Sequence, residues 1–380
     1  MHYLDLSAPV AELTRTLIDI ESVSGDEAAI ADAIEHALRP FPHLELFRDG
    51  DAVVARTRLG RASRVVIAGH IDTVPINRNV PARREPSDAG DISGNMSGDA
   101  GNMSGDAGDT SGDVLWGRGT VDMKAGCAAM LTLAASVTEP IVDISWVFYD
   151  HEEVESSLNG LGRLARNHPE LLEADFAILG EPSDGEVEGG CNGTLRATIR
   201  TRGVRSHSAR AWMGENAIHA LAPVLGILAA YRPESIEVDG LVYCEGLNAV
   251  GIIGGVAGNV IPDEAALSVN YRFAPSRDAA AAEAVVRELF ADFEVEIVDL
   301  AEGARPGLDA PLVQAFMAAI DAHAKPKYGW TDVARFATLG IPAVNFGPGD
   351  PTLAHSDDER VPVAEIDRYE RRLRAWLTGS

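Results

Sequence analysis

The sequence predicts an α/β protein in which a second, smaller domain interrupts the first. In the first half of the chain, short β-branched apolar runs that end abruptly in polar residues alternate with stretches of helical periodicity. This alternation is typical of α/β units around a largely parallel sheet. From about residue 186 the pattern changes to exposed strands and two helices, and after Pro306 the α/β pattern returns. The two ends of the chain therefore form one discontinuous domain that holds another.

The outer domain begins with two predicted helices, at residues 10–20 and 26–38, where apolar residues recur every three or four positions. Its further predicted strands are 64–69, 141–149, 176–179 and 341–346, and its further predicted helices are 124–136, 160–167, 310–324 and 363–377. Ligands bind α/β sheets at the carboxyl ends of the strands. The polar residues that follow each strand are therefore the candidates for a functional site.

The inner domain reads as strand, helix, strand, strand, helix, strand. The predicted elements are residues 194–202, 215–230, 250–256, 265–273, 277–290 and 293–300. This β-α-β-β-α-β order is typical of a ferredoxin-like domain. The predicted boundaries are therefore 1–186 and 304–380 for the outer domain and 187–303 for the inner one.

A Gly/Asp-rich insert occupies residues 87–113 of the outer domain. It contains the unit Gly-Asn-Met-Ser-Gly-Asp-Ala twice in tandem, beginning at Gly94 and Gly101. A seven-residue period suggests a coiled coil, but two glycines per repeat and few large apolar side chains leave nothing to pack. We therefore predict a disordered, solvated loop. A calcium-binding Gly/Asp repeat is the alternative, although the match to the nine-residue β-helix pattern is poor.

Charge and cysteine usage restrict the class of protein. Lys and Arg number 32 and Asp and Glu number 58, so the formal charge of −26 argues against nucleic acid and anionic membranes as partners. Cys127, Cys191 and Cys244 are far apart, which excludes a disulfide framework and a thiolate zinc site. The sequence shows neither a signal-peptide pattern at its start nor an 18-residue apolar stretch, so we predict a cytoplasmic protein with no membrane association.

Five segments at predicted strand ends or in adjacent loops supply imidazole and carboxylate groups. Their candidate ligands and neighbouring acids are His70, Asp72, Asp122, Glu152, Glu153, Glu181 and His355. Nitrogen and oxygen ligands without thiolate are typical of zinc, cobalt or manganese in a hydrolytic site. A bridging Asp with two terminal ligands on each side would hold two ions about 3.5 to 4 Å apart. Each segment is weak evidence alone, but their joint occurrence predicts a metal site.

Two of these acids have a predicted role beside the metal. The carboxylate of Asp72 can accept the free ring N–H of His70 and thereby fix its tautomer. Of Glu152 and Glu153 only one needs to bind metal, and adjacent residues point in different directions. We therefore assign Glu153 as a ligand and Glu152 as the general base that acts on a metal-bound water.

These motifs resemble the co-catalytic zinc M20 peptidase and deacylase family. The segments that carry the resemblance are His70-Ile71-Asp72-Thr73-Val74-Pro75, Gly117-Arg118-Gly119-Thr120-Val121-Asp122-Met123-Lys124, Glu152-Glu153, Gly180-Glu181-Pro182-Ser183 and His355. The resemblance spans nearly the whole chain. It implies a zinc-exopeptidase-like catalytic domain with an inserted dimerisation or lid domain. It also implies two Zn²⁺ ions per subunit, with Co²⁺ as a substitute: His70, Asp122 and Glu181 on one, and Asp122, Glu153 and His355 on the other.

Within the family, further segments are most similar to enzymes that hydrolyse N-succinyl amino acids. These segments are residues 188–195, 205–216, 329–336 and 345–351. The resemblance implies a small N-succinyl amino-acid substrate and a homodimer formed through the lid. It implies that His207 crosses to the partner's site and stabilises an oxyanion. The residues that it implies for the substrate's carboxylates are Asn248, Asn259 and Arg272 in the lid, and Thr331 and Arg335 in the catalytic domain.

Two alternatives remain at this point. Another amidohydrolase of the same family, such as an acetylornithine deacetylase or an aminoacylase, carries the same metal motifs. A non-catalytic member would keep the fold and use the lid as a binding or dimerisation surface. Such a member would be expected to lack a metal ligand or the base, and each of these residues is present.

Overall fold

The computed structural model describes residues 2–86 and 112–380. Its Cα positions divide the chain into two compact units. Unit 1 comprises Met1–Val187, Asp309–His323 and Leu339–Ser380, and unit 2 comprises Glu188–Leu308 and Ala324–Thr338. The predicted Gly/Asp-rich insert lies outside the described residues except for its last two positions.

Helices and strands alternate through both described ranges. The α-helices are α1 (Val10–Ile18), α2 (Ala28–Leu38), α3 (Lys124–Ser136), α4 (Gly160–Asn167), α5 (Ala222–Ala230), α6 (Ala279–Leu289), α7 (Pro311–Ala319), α8 (Val333–Thr338) and α9 (Val363–Thr378). The strands are β1 (Glu45–Asp49), β2 (Ala52–Arg56), β3 (Arg64–His70), β4 (Arg83–Pro86), β5 (Asp113–Trp116), β6 (Asp143–Tyr149), β7 (Phe176–Leu179), β8 (Val187–Gly189), β9 (Gly193–Arg202), β10 (Ser206–His207), β11 (Ser235–Val238), β12 (Leu241–Cys244), β13 (Gly246–Gly254), β14 (Val260–Ile261), β15 (Glu264–Phe273), β16 (Glu294–Ala301), β17 (Ala324–Pro326), β18 (Ala343–Asn345) and β19 (Arg360–Pro362). Among these helices none combines the length and apolar character that a bilayer crossing requires.

The main sheet of unit 1 runs in the order β1-β2-β6-β3-β7-β18. Strands β6, β3, β7 and β18 run parallel to one another. Strands β1 and β2 extend the sheet in antiparallel pairing. Every residue of β6 and β7 is buried, as expected for parallel strands that are covered on both faces. The predicted α/β fold class is confirmed.

The carboxyl ends of the parallel strands bring distant parts of the chain to one edge of this sheet. Strand β3 ends in His70, which is in register with Tyr149 at the end of β6. Strand β7 ends at Leu179, two residues before Glu181. A three-stranded sheet, β19-β5-β4, supplies β5, which leads into the turn that carries Asp122.

Unit 2 is built on an antiparallel sheet in the order β13-β15-β9-β16. Numbered by their order along the chain, the neighbouring strands of this sheet are the second, third, first and fourth. Helices α5 and α6 lie in the two crossover connections, so the predicted ferredoxin-like arrangement is present. The core contains Leu195 and Ile199 of β9, Val224 of α5 and Val286 of α6, all fully buried. The helices therefore pack on the face of the sheet that carries these apolar side chains.

Two details differ from the expectations. The helix expected at residues 215–230 starts later, with a 3₁₀ turn (His219–Leu221) followed by α5, because Pro223 lies in the first turn of α5 while Glu215 pairs with Val204. The segment Ala324–Thr338, expected in the outer domain, is assigned by its contacts to unit 2. Two of these contacts hold it there: Lys327 lies 2.8 Å from Glu188, and the indole N–H of Trp330 donates to the carbonyl of Glu302.

Candidate active site

His70 is fixed at the end of β3 by hydrogen bonds to both ring nitrogens. Its Nδ1 lies 3.0 Å from the main-chain oxygen of Asp72, and the Asp72 carboxylate is 3.5 Å away. The nearest acceptor for the ring N–H is therefore the main chain of Asp72 rather than its carboxylate. Nε2 faces Oδ1 of Asp122 at 2.8 Å. This orientation leaves Nε2 as the nitrogen that is available to a metal ion.

The Asp122 carboxylate lies between two histidines. Oδ1 faces His70, and Oδ2 lies 3.2 Å from Nε2 of His355. The same His355 nitrogen is 2.9 Å from Glu153, and Glu181 lies 4.0 Å from Nε2 of His70. One carboxylate oxygen directed at each of two separate ligand groups is the arrangement of a bridging ligand.

The electrostatics of this cluster favour bound positive charge. Burial alone would lower the pKa of His70, but Asp122 and Asp72 outweigh it and hold the pKa well above its usual value. Hydrogen bonds to Asp122 and Glu153 raise the pKa of His355 to about 10. His70, Asp122 and Glu153 offer ligand atoms that all lie within 4.8 Å of one another. Imidazole and carboxylate donors this close together, without thiolate, fit a divalent ion such as zinc.

Asp72 holds the Glu152–Glu153 segment as well as His70. Its fully buried carboxylate accepts hydrogen bonds from the main-chain N–H groups of Glu152 and Glu153, both at 3.1 Å, and from the hydroxyl of Ser24 at 2.7 Å. Burial alone would raise the pKa of Asp72, but His70, the hydroxyl of Ser24 and the N–H of Glu153 lower it. Asp72 therefore stays ionised and orients both neighbouring acids.

Close approach of backbones positions Glu181. The carbonyl of Gly180 lies against two glycines, Gly126 of α3 and Gly347. A Cβ atom at Gly126 would lie 2.4 Å from this oxygen, and one at Gly347 would lie 2.3 Å from it. Because real Cβ atoms do not approach oxygen this closely, both positions require glycine. They allow the strand end that carries Glu181 to pack directly on α3.

Sequence reasoning missed two charged residues beside the cluster, Arg118 and Glu359. Both are almost fully buried, and Nη1 of Arg118 donates to Oε2 of Glu359 at 2.8 Å. Arg118 lies in the motif of residues 117–124, which by itself indicates no role for it. Glu359 ends the run Ser356-Asp357-Asp358-Glu359, which reads as a solvated surface loop. Nothing in this run distinguishes Glu359 from a solvated surface residue, so the sequence carries no signal that identifies it.

The predicted site residues fall into two groups. Those of unit 1 are His70, Asp72, Asp122, Glu152, Glu153, Glu181 and His355, and those of unit 2 are His207, Asn248, Asn259, Arg272, Thr331 and Arg335. The structure brings the first group together at one sheet edge. Thr331 and Arg335, expected in the outer domain, belong to unit 2.

The residues of unit 2 differ in exposure and pairing. His207 is exposed on β10, and its Nδ1 accepts from the N–H of Ala209. Asn248 and Asn259 are also exposed. Burial lowers the pKa of Arg272, and within the described part of the chain no carboxylate lies within ion-pair distance of its guanidinium. Arg335 pairs with Asp332 and stacks on Trp330, 5.5 Å from the ring centre.

A parallel sheet that carries imidazole and carboxylate groups around a shared aspartate defines a metal-dependent hydrolase. Comparison with known proteins agrees, since the model of peptidase family M20/M25/M40 matches residues 66–378. The chain belongs to this family. The resemblance inferred from the motifs is confirmed.

Relatives of high sequence identity match almost the full length of the chain. A Mycobacterium tuberculosis protein, provisionally named succinyl-diaminopimelate desuccinylase DapE, is 51% identical over 99% of this chain and 100% of its own. The succinyl-diaminopimelate desuccinylase of Corynebacterium glutamicum is 45% identical over 99% of this chain and 98% of its own.

Solved structures share the fold at low sequence identity. A tripeptidase from Staphylococcus aureus superposes with a TM-score of 0.74 at 18% identity and covers 99% of this chain and 98% of its own. The YXEP protein of Bacillus subtilis, described as a dinuclear metal-binding peptidase of family M20, has a TM-score of 0.64 at 14% identity, covering 97% and 96%. Both agree with the predicted fold class.

Proposed function

We propose that this chain hydrolyses N-succinyl-LL-2,6-diaminopimelate to succinate and LL-2,6-diaminopimelate, a reaction that supplies lysine and cell-wall synthesis. The full-length identity to two relatives named for this desuccinylase supports the substrate. The observation that carries the chemistry is Asp122, whose two oxygens face His70 and His355 beside the Glu152–Glu153 pair.

Two Zn²⁺ ions per subunit are the proposed cofactors, with Co²⁺ able to replace them. His70, Asp122 and Glu181 would hold one ion, and Asp122, Glu153 and His355 the other. Ions bound by these residues would supply Lewis-acid chemistry and make water at the site more acidic. Asp72 supports both sets of proposed ligands, because its carboxylate contacts the ring of His70 in one set and the N–H of Glu153 in the other.

Glu152 is the proposed general base. It takes a proton from the attacking water and passes it to the amide nitrogen, so that the C–N bond breaks to give a carboxylate and a free amine. The Asp72 carboxylate holds the N–H of Glu152 at 3.1 Å and thereby fixes the start of its side chain. Asp72 is therefore proposed as the residue that positions the base.

The polar residues of unit 2 are proposed to bind and polarise the substrate. His207 would donate to the oxyanion of the tetrahedral intermediate from the partner subunit's lid. Arg272 suits a substrate carboxylate because it is half-buried and has no carboxylate partner among the described residues. Asn248, Asn259, Thr331 and Arg335 complete the proposed set of contacts to the substrate's carboxylates.

A homodimer through unit 2 fits its exposed apolar surface. Strand β13 is an edge strand, and Val250, Ile252 and Ile253 on it are 63%, 56% and 77% exposed. Helix α5 also exposes Leu225 and carries no charged residue. Unpaired strand edges and apolar patches are usually covered in a native assembly. A second copy of unit 2 is the proposed cover, and the proposed location is the cytoplasm, where Cys127, Cys191 and Cys244 stay reduced.

The test is to load the purified protein with Zn²⁺, offer N-succinyl-LL-2,6-diaminopimelate and measure succinate. We expect turnover in the wild type and a loss of about 10²- to 10⁴-fold in Glu152→Gln, with the metal content retained. Glu155→Gln is the matched control, since Glu155 is exposed and lies three residues after Glu152. Release of acetate from N-acetyl amino acids with no action on the succinyl substrate would contradict the proposal.

A further inference from the structure

The ion pair between Arg118 and Glu359 lies in the interior of unit 1. Glu359 is 1% exposed and Arg118 is 4% exposed. Removing two charges from water costs several kcal/mol per ion, so a buried pair is weak evidence for a stabilising role. Other contacts of the two side chains indicate what the pair does.

Each member of the pair contacts the main chain next to a candidate metal ligand. Oε1 of Glu359 accepts from the N–H groups of Val121 and Asp122 at 3.0 and 3.1 Å. Nη1 of Arg118 also donates to the carbonyl of Ser356 at 3.1 Å, and Ser356 directly follows His355. The main chain adds one more link, since the N–H of Gly117 donates to the carbonyl of Glu359.

These bonds tie two separate segments of unit 1 together. One is the turn from Gly117 to Asp122, and the other runs from His355 to Glu359. Asp122 and His355 face each other at 3.2 Å across this junction. His355 has a positive φ of 65°, a backbone conformation that non-glycine residues seldom adopt, so its position depends on surrounding contacts.

We propose that Arg118 and Glu359 are positioning residues for the metal centre, which set the distance between Asp122 and His355. The inference rests on the proposed function, because it assigns both residues to the two-ion site. In Glu359→Gln the NH₂ group of the amide would face either the two main-chain N–H donors or the guanidinium, and all of these groups are hydrogen-bond donors. Either orientation pushes apart segments that the carboxylate holds together.

The test measures metal binding rather than turnover. Zn²⁺ is titrated into the metal-free protein in a calorimeter, and the visible absorption of a Co²⁺-loaded sample reports the ligand geometry. We expect two ions in the wild type, and in Glu359→Gln a dissociation constant about 10- to 100-fold higher for at least one of them, with an altered Co²⁺ spectrum.

Asp143→Asn is the matched control for a purely structural loss. Asp143 is also a buried carboxylate that accepts from main-chain N–H groups, those of Leu59 and Arg61, but it lies at the opposite end of β6. This variant should lose stability and keep both ions. Arg118→Met/Glu359→Leu is a second variant that leaves no unpaired buried charge and is therefore expected to fold.

The outcomes separate the two proposals. A wild-type chain that binds fewer than two ions contradicts the proposed two-ion function and this inference with it. Two ions in the wild type, together with wild-type affinities in both folded variants, would overturn the positioning role alone. Weaker Zn²⁺ binding in Glu359→Gln or in Arg118→Met/Glu359→Leu, at a stability equal to that of Asp143→Asn, supports the positioning role.

Discussion

Carboxylates of unit 1 acquire different roles because their immediate partners differ. Asp122 faces two histidines, Asp72 accepts from the main chain of the Glu152–Glu153 pair, and Glu359 accepts from the main chain of Asp122 itself. Asp143 accepts from main-chain N–H groups at the other end of the sheet. The side-chain chemistry is the same in all four, and the local donor decides between ligand, positioning and structural roles.

The structural carboxylate leads to a prediction about pH. Burial alone would raise the pKa of Asp143, but the N–H groups of Leu59 and Arg61 and the hydroxyl of Thr57 lower it below 3.8. A lowered pKa means that the ionised form stabilises the fold above the unfolded-state pKa, and that this contribution is lost as the pH falls through the folded-state value. Asp143→Asn should therefore lower the free energy of unfolding by about 1 to 3 kcal/mol near neutral pH.

Denaturant unfolding of both proteins at several pH values checks this expectation. The difference between wild type and Asp143→Asn should be constant above about pH 5 and should shrink below about pH 4, as the wild-type carboxyl becomes protonated. Thr57→Val is a useful control because it removes one donor to Asp143 and leaves the charge. A difference that does not change with pH would contradict the assigned cause.

The candidate ligand residues could be selected from sequence because each lies at the end of a recognisable strand or within a motif. Glu359 could not, since its partners are main-chain N–H groups of Val121 and Asp122, and a main-chain partner leaves no mark in a sequence. The same reason explains why the partner of the His70 ring was not predicted: its N–H lies nearer to the main-chain carbonyl of Asp72 than to the expected carboxylate. Side-chain identities predict which groups are present, and the fold decides which backbone atoms they meet.

At the element scale, the hairpin of β4 and β5 carries the Gly/Asp-rich insert. These strands are antiparallel, and Pro86 is the register partner of Asp113. The two chain ends that flank the insert are therefore adjacent. Replacing residues 87–112 by an Asn-Gly turn, the preferred connection for a tight hairpin, should preserve the fold and the activity.

Loop closure gives the expected size of the effect. Each halving of loop length reduces the entropic cost of loop closure by about 0.6 kcal/mol. The shortened protein should therefore be as stable as the wild type or more stable by up to about 2 kcal/mol. Thermal unfolding and kcat/KM measure both properties. A large fall in kcat/KM with unchanged stability would show that the insert acts on catalysis.

Element boundaries were predictable where periodicity and burial agree. The strand at 176–179 and the helices at 124–136 and 160–167 occur at the predicted residues. The start of α5 was not predictable, because the bridge between Val204 and Glu215 forms between residues that show no alternating pattern. The assignment of Ala324–Thr338 to unit 2 depends on long-range pairs such as Lys327 with Glu188, which periodicity does not report.

At the scale of the whole molecule, the proposed dimer makes a prediction about mixed subunits. If His207 of one subunit serves the site of the other, a Glu152→Gln chain and a His207→Ala chain complement each other. Random mixing should recover about one quarter of the wild-type activity, because half of the dimers carry one complete site out of two.

The measurement is succinate release after the two inactive variants are unfolded together and refolded, with each variant refolded alone as the control. Sedimentation velocity on the same samples verifies the dimer. Absence of any recovery in mixtures that sediment as dimers would place the action of His207 within its own subunit.

The order of the proposed ligands along the chain has a consequence for how the protein folds. His70, Asp122 and Glu181 all precede unit 2, whereas His355 follows it. The first three are therefore synthesised early, but the N–H of Asp122 finds its acceptor, Glu359, only after the chain has completed unit 2 and returned. We therefore expect metal binding during synthesis to coincide with the docking of the last strand and helix of unit 1.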